Sequence, residues 1–432
     1  MAPADGRETR FERDVLGSVE VPAEALYGAH TVRALVNFAL GGQRLADVPA
    51  LVSAIAEVKI AAARANVAIG VLEPALGQAL VSAGREVRGL HVDEFPLPVL
   101  HGGGGTSFNM NTNEVLANRA NQLLGTALGT YHPVHPNDHA NRSQSTNDVV
   151  PTAISIAFVR EGQLAVAGLR HFRDTVLAKA DEQGELERLG RTCLQDAVPL
   201  SVGDTHRAQA HAVERAAGQL ESELEALLAV PLGATVLGTG VGAPPRYVET
   251  VLPLLAEETG LAITGASDLF AALAHAEAYL AVAHALERAA SVLAKIAADL
   301  RFLASGPVGG IGEVTLPALQ AGSSAMPGKV NPVLPELVLQ VSYGVRGTAA
   351  TVAAAVAGGE LELNVMEMVI ARALLGSFAE VAGAARLFAD RCFQGLRWNE
   401  DRVARHLEGS LAGRVVESTE RGYDAASGTA RR

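Results

Sequence analysis

Aromatic side chains make up only 4% of this 432-residue chain, and Trp398 is its single tryptophan. Strands draw on aromatic and β-branched residues, so this scarcity argues against a sheet architecture; the prevalence of alanine and leucine is instead the composition of long, closely packed helices. Cysteine is nearly absent too. Cys193 and Cys392 are the two present, which is no disulfide framework and suits a reducing cytoplasm. Positive charge is in deficit: 35 Lys and Arg against 47 Asp and Glu leave a formal net charge of −12 and a pI near 5.5. A field of that sign repels nucleic acid and anionic membranes, so an anionic substrate needs a local capture site. No secretory leader is expected where Asp5, Arg7, Glu8 and Arg10 crowd the start. The longest uncharged stretch, Ala226 to Pro245, contains Pro231, Gly233, Gly238, Gly240 and Gly242, and reads as a loop rather than a membrane span. Hydrophobic residues nonetheless reach 49%, enough for a large core.

Cofactor signatures are missing as well. Gly238-Thr239-Gly240-Val241-Gly242 lacks the spacing and preceding strand of a dinucleotide loop. His132, His135 and His139 invite a metal reading, but Pro133 and Pro136 break the helix such spacing needs and no cysteine or compact carboxylate set completes a site. Neither metal nor cofactor is expected. With no secretory route expected, the sequon Asn141-Arg142-Ser143 is read as a chance occurrence.

What is present is helical periodicity. After a lead-in from Thr9 to about Val48 that reads as extended and turn-rich, apolar residues recur at helical spacing from Leu51 to about Ile69, and helices continue to about residue 125. Longer helical stretches follow at roughly 152–183, 203–230, 267–304 and 333–392. In 267–304, Leu269, Leu273, Ala276, Leu280, Ala283 and Leu286 begin one apolar stripe that runs to Leu303, with Ser267 or Asp268 as N-cap and Gly306-Pro307 as the stop. Such helices predict an all-α bundle whose alanine-rich outer faces are covered by further subunits.

One loop combines small residues, hydroxyls, a cation and an amide: Gly322-Ser323-Ser324-Ala325-Met326-Pro327-Gly328-Lys329-Val330-Asn331-Pro332. It is not a phosphate loop, because the spacing between its glycines is too long and Val330 stands where a magnesium-binding hydroxyl belongs. Its backbone N–H groups and Lys329 can hold a carboxylate and the charge that develops when a neighbouring proton is removed. Read by itself, it can equally be a flexible connection.

Further segments, taken with this loop, resemble the aspartase/fumarase superfamily. They are Ala25 to Ala34, Gly105-Thr106-Ser107-Phe108-Asn109-Met110-Asn111-Thr112-Asn113-Glu114, Ser143-Gln144-Ser145-Thr146-Asn147-Asp148, Gly190-Arg191-Thr192 with Leu194 to Pro199, Gly238-Thr239-Gly240, and Leu361 to Glu367. The resemblance implies three mostly helical domains, 1–147, 148–395 and 396–432, with the central helices of four subunits forming a twenty-helix core. It also implies a homotetramer with composite sites built from three subunits, acting on a small dicarboxylate or amino acid. Gly104, Thr146, His30 and the run Asn331 to Glu336 resemble aspartate ammonia-lyases more than fumarate hydratases.

By the same resemblance, Ser323 is the general base and Lys329 its supporting cation or a carboxylate ligand. Thr106, Ser145, Thr146 and Ser324 donate to the reacting carboxylate, Thr192, Lys329 and Asn331 hold the α-carboxylate, Asn147 faces the amino group, and Ser107 and Met326 complete the substrate-binding set. His135, Asn137 and Asp138 are expected to form a secondary anion site. Three departures stand out. Cys193 replaces the histidine or glutamine expected beside its partner Glu336; it either enlarges the leaving-group pocket or fills space. Asp204-Thr205-His206 replaces the usual Gln-Glu-aromatic run, and His206 is read as structural. Gly422-Tyr423-Asp424-Ala425-Ala426 lies close to the end of the chain, so the third domain is expected to be truncated, with an effect on loop closure. The expected activity is reversible anti elimination of ammonia, or a substituted amine, from L-aspartate or a close analogue through an enediolate. The alternatives are fumarate hydration and a non-catalytic structural role.

Overall fold

Two strands, β1 (Thr9–Asp14) and β2 (Gly17–Pro22), pair antiparallel at the start of the computed structural model, which describes residues 8–90 and 92–427. Asp5 and Arg7 lie outside the described residues. The lead-in is not extended throughout, because helix α1 (Ala29–Asn37) forms within it. The cause is not local: the Glu114 carboxylate accepts the backbone N–H groups of Gly28, His30 and Thr31 at 2.9, 2.8 and 3.2 Å, satisfying the helix start from a distance.

Helices α2 (Pro49–Ala68), α3 (Pro74–Leu90), α4 (Thr106–Leu123) and α5 (Thr146–Glu182) follow. A hairpin of β3 (Glu187–Thr192) and β4 (Gln195–Ser201) leads to α6 (Val202–Ala226), α7 (Tyr247–Thr259), α8 (Leu269–Ala274) and α9 (Glu277–Leu303). The last large elements are α10 (Val333–Ala357), α11 (Glu367–Phe388) and α12 (Glu400–Glu408). Among the described residues every sheet has only two strands. The mostly helical expectation therefore holds, as does the loop reading of Ala226 to Pro245, where only Ala229–Val230 is extended.

Several helix boundaries differ from the sequence reading; the 203–230 stretch ends at Ala226, and 333–392 is interrupted between Ala357 and Glu367. α5 starts at Thr146 rather than near 152, because Ser145 and Asp148 cap it reciprocally. Ser145 Oγ accepts the Asn147 N–H at 3.3 Å and the Asp148 carboxylate accepts the Ser145 N–H at 3.0 Å. The stripe from 267 to 304 is two helices, broken at His275 and Ala276. There the Leu273 carbonyl, which would accept from Glu277 in a continuous helix, accepts the Asn364 backbone N–H at 3.0 Å. Asp268 is the N-cap, accepting the N–H groups of Phe270 and Ala271.

The chain divides into two compact units. The first gathers the residues up to Gln163, Ser222–His284 and Gly347–Gly376; the second gathers Leu164–Glu221, Ala285–Arg346 and the residues from Ser377 onward. In the first, α2 packs against α3 and α7 and is buried almost all round, including Glu57, Lys59 and Asn66. Such a helix belongs to a core rather than a surface. Two helical segments, Thr146–Glu182 and Glu367–Phe393, are long and apolar enough to cross a membrane, but 78% and 61% of their most apolar windows are buried inside the protein.

In the second unit, Phe172 stacks on Phe388 with ring centres 4.8 Å apart, and Phe393 closes edge-on against both. His206 joins this cluster, fully buried. Its Nε2 accepts the Trp398 indole N–H at 3.1 Å and its Nδ1 side faces Gln209 Oε1 at 2.9 Å, an arrangement that fixes the neutral Nδ1–H tautomer. The structural reading of His206 agrees with this. The tail past α12 is helical at Arg414–Arg421 and Tyr423–Ser427; residues 428–432 lie outside the described residues.

Burial holds the His206 pKa below its ordinary value. The unfolded imidazole takes a proton near pH 6.5 while the buried one does not, so stability is full above about pH 6.5 and declines as pH falls below it. Trp398, the sole tryptophan, reports this directly. Its fluorescence-monitored denaturant midpoint should fall between pH 7 and 5, and His206→Gln should flatten that dependence. An unchanged slope in the variant would assign the effect to other groups.

Candidate active site

Three consecutive glycines, Gly103 to Gly105, all at positive φ, deliver the chain to the start of α4. At Gly105 a Cβ would meet Val150 Cγ1 at 2.8 Å, so only glycine lets α4 begin this close to α5. Thr106 and Ser107 are therefore the first two residues of α4, Thr106 half-buried and Ser107 buried.

The second hydroxyl segment, Ser145 and Thr146, opens α5. Asn109 Nδ2 reaches Thr146 Oγ1 at 3.0 Å, linking it to the helix that carries Thr106. The segment before it is fixed by Asn141, whose Oδ1 accepts from Lys59 Nζ at 2.9 Å and from Asn109 and Asn113 Nδ2 at 3.1 Å each. Ser143, held at φ 65, donates to Asn66 Oδ1 at 2.7 Å. Burial pushes Lys59 down to about 7, opposed by the charge of Asp148. Burial likewise raises Asp148 to about 6, opposed by the backbone N–H groups of Ser145, Thr235 and Gly233 and by Lys59. Asn147 donates from Nδ2 to the Val236 carbonyl at 2.8 Å, which leaves its Oδ1 open to a donor.

Lys59, Asn66, Asn109, Asn113, Asn141 and Asp148 had no assigned role in the sequence reading. Their signal was present in α4, where Asn109, Asn111, Asn113, Asn118 and Asn121 are all buried. Asparagine is a poor helix former, and a run of it implies use in hydrogen bonding.

A cleft of about 900 Å³ in the first unit is lined by both Thr106 and Ser107 and by His135 and Asn137, together with Arg13 and Arg33. The secondary anion residues thus share a cleft with one of the hydroxyl pairs, Asp138 not being among its walls. His135 caps the turn Pro136–Ala140, its Nδ1 facing the N–H groups of Asn137 and Asp138, and His139 Nδ1 accepts the His135 N–H at 2.8 Å.

The second unit carries the other predicted residues. In the loop 322–332, Ser323 Oγ accepts two backbone N–H groups, from Ala325 at 3.1 Å and Met326 at 2.9 Å. The loop is pinched at its neck, where Gly322 N–H donates to the Lys329 carbonyl at 2.7 Å and Asn331 Nδ2 donates to the Gly322 carbonyl at 2.8 Å. A Cβ at Gly322 would lie 2.7 Å from that Lys329 oxygen. Ser324, Met326 and Lys329 are exposed. Glu336, in the first turn of α10, lies 3.6 Å from Arg301.

Thr192 and Cys193 sit at the tip of the β3–β4 hairpin. Thr192 pairs with Gln195, so Cys193 and Leu194 alone form the turn, with φ of 52° and 63°. Left-handed conformations cost non-glycine residues about 1–2 kcal/mol each. Cys193 is exposed and free. The hairpin is anchored by Arg191, which pairs with fully buried Glu313, and Glu313 also meets His406 Nδ1 at 2.7 Å. Among the described residues, the hairpin tip and the loop 322–332 share no hydrogen bond.

Two N–H dipoles aimed at a serine oxygen, and short hydroxyls grouped at helix starts, are each suited to stabilising negative charge. A family model described as "Lyase" matches residues 17–347. The chain belongs to that lyase family. It is 42% identical over 394 residues to aspartate ammonia-lyase of Escherichia coli strain K12, covering 91% of this chain and 82% of that protein. It is also 43% identical over 422 residues to fumarate hydratase class II of Methylorubrum extorquens, covering 97% and 89%. Of solved structures, fumarate lyase:delta crystallin from Brucella melitensis bound to cobalt aligns with a TM-score of 0.95 at 40% identity, covering 98% of this chain and 92% of that one. The expected membership of the aspartase/fumarase superfamily and its mostly helical fold are thereby borne out.

In this lyase the Asn141 hub should be separable from the chemistry. Asn141→Ala leaves three buried donors without their acceptor, each worth about 1–3 kcal/mol before relaxation. A loss of roughly 3 kcal/mol in unfolding free energy is expected, and Asn141→Asp, which keeps an acceptor, should recover most of it. Equal denaturation midpoints for wild type and Asn141→Ala would remove the hub role.

Proposed function

We propose that the protein is a carbon–nitrogen lyase that eliminates ammonia, or a substituted amine, from L-aspartate or a close analogue to give fumarate. The observation that carries this reading is the pair of backbone N–H groups on Ser323 Oγ. A serine hydroxyl is a weak base until its alkoxide is stabilised, and two fixed dipoles plus the cation of Lys329 supply that stabilisation.

In the reaction, Ser323 Oγ takes the Cβ proton anti to the amino group. The electron pair moves onto the adjacent carboxylate as an enediolate, to which Thr106, Ser107, Ser145, Thr146 and Ser324 donate, with Met326 packing alongside. Collapse of the enediolate forms the double bond and breaks the C–N bond. Thr192, Lys329 and Asn331 hold the other carboxylate, Asn331 with the amide capacity left after its bond to Gly322. Asn147 Oδ1 accepts from the ammonium.

Similarity alone does not choose between ammonia and water, since relatives of both activities are about equally close. Cys193 favours ammonia. An ammonium group leaves as neutral amine without help, whereas hydroxide must be protonated as it leaves, and a thiol at this position is no substitute for an imidazole paired with Glu336. Fumarate hydration is the second reading, on the strength of the Methylorubrum relative. A non-catalytic role is disfavoured because a purely structural chain has no use for the full set of hydroxyls, lysine and asparagine.

We further assign the active form to a homotetramer in the cytoplasm, with sites shared among three subunits. Support comes from α10, whose 25 residues include only two charges, Glu336 and Arg346, while Tyr343 remains 61% exposed. An apolar helix uncovered within its own chain calls for a partner.

Purified protein given L-aspartate should generate the ultraviolet absorbance of fumarate and should do so far faster than with malate. Ser323→Ala should lower kcat by about 10²–10⁴-fold. Activity on malate exceeding that on aspartate would transfer the assignment to hydration; no turnover of aspartate, N-substituted aspartates or malate by a folded tetramer would refute a catalytic role.

A further inference from the structure

A second chemically distinctive place lies in the first unit, in a cavity of about 240 Å³ where the start of α5, the α8–α9 break and the start of α11 approach one another. Glu367, the first residue of α11, is one of its walls and is only 6% exposed. Its carboxylate has no hydrogen-bond or ion-pair partner among the described residues. Buried carboxylates are ordinarily paired, so an unpartnered one that faces a cavity needs an occupant or a proton.

The rest of the wall repels anions. Asp268 and Glu277 also line the cavity, His275 is the one basic side chain there, and no lysine or arginine contributes. Asp268 is engaged as the N-cap of α8, while Glu277 and His275 are exposed at the break. Two hydroxyls complete the polar surface. Tyr279 donates to the Pro151 carbonyl at 3.1 Å and lies 3.2 Å from Ser155 Oγ, which leaves acceptor lone pairs on both oxygens.

We propose that this cavity binds a small ammonium-type cation, either ammonium or a primary amine, with Glu367 as counter-ion and the hydroxyls of Tyr279 and Ser155 as acceptors. A directly coordinated divalent metal fits poorly, since no three His, Cys, Asp or Glu side chains converge on one point among the described residues, and calcium or magnesium sites need about six oxygens. N–H donors, by contrast, match a lone carboxylate with two neutral acceptors. The volume admits a cation of a few heavy atoms with water. The inference does not depend on the reaction proposed above.

Burial pushes the empty-site Glu367 carboxyl up to about 8, so at neutral pH an entering cation must displace a proton. Below pH 8 the apparent affinity should therefore rise about tenfold per pH unit. Thermal unfolding of the full-length protein at pH 8 in propylammonium, ammonium, tetramethylammonium or sodium chloride, at equal ionic strength, tests the site. Propylammonium should raise the midpoint by about 2 °C over sodium, whereas tetramethylammonium, which has no N–H, should not; Glu367→Gln should abolish the difference. A matching rise with ammonium chloride would show that the inorganic ion suffices, and no rise with it would limit the ligand to organic amines. Wild-type crystals soaked in propylammonium chloride provide a readout free of folding effects. Elongated density bonded to Glu367 is expected; water alone in the cavity, or a midpoint shift that sodium or Glu367→Gln reproduces, would overturn the proposal.

Discussion

Buried asparagine on α4 is the constraint on which the first unit depends. Asn118 donates to the Leu26 carbonyl and accepts the Gly129 N–H; Asn121 both donates to and accepts from the Val134 backbone; Asn111 holds the Glu94 carbonyl. Each amide supplies a donor and an acceptor in one rigid plane, so it satisfies a loop's backbone as a neighbouring strand would. One helix thereby fixes three connecting segments that have little secondary structure of their own. Asn109 and Asn113 extend the pattern to Asn141, and Asn109 itself also bonds Thr146. Regular helical geometry, not local loop preference, sets where the hydroxyls stand.

The second unit uses backbone strain for the same purpose. The Cys193–Leu194 turn places two non-glycine residues in the left-handed region, with Leu194 largely exposed and contributing little burial in return. Such a turn persists because the ladder from Glu187 to Ser201, and the Arg191–Glu313–His406 cluster beneath it, over-determine its position. The pinched neck at Gly322 does equivalent work for Ser323, bending the chain so that two successive N–H groups point at one oxygen. In both places a residue of the proposed site sits on a short, constrained turn whose anchors lie a few residues away.

This division explains what could be read from sequence. Long helices were legible because alanine and leucine at helical spacing report burial directly, and the 322–332 loop was legible because its partners are local: Ser323 bonds to residues two and three positions on. α1 was not, since its start is satisfied by Glu114, a partner remote in sequence. The α4 network went unassigned for a related reason. Polar residues on a helix ordinarily signal solvent, and only the tertiary fold reveals that five asparagines face inward. The start of α5 lies before the expected 152, at the capping pair Ser145 and Asp148, and Pro151 falls inside the helix.

The α8–α9 break was hidden by the very periodicity that made the region easy to read. Leu273 and Ala276 are both buried, so the apolar stripe runs through the interruption without a gap. What ends α8 is competition for one carbonyl: Leu273 bonds to Asn364, whose side chain in turn accepts the Met366 N–H just before α11. A single pair of residues thus terminates one helix and starts another. Where helices end together, alanine-rich side chains are too short to fill the gap between them, and a cavity follows from the same composition that elsewhere permits close packing. A carboxylate at the first position of α11 is favoured by the helix dipole, which explains why Glu367 is tolerated at the edge of that cavity. The dipole does not supply the hydrogen bonds a buried carboxylate lacks, and that deficit distinguishes Glu367 from an ordinary first-turn acid.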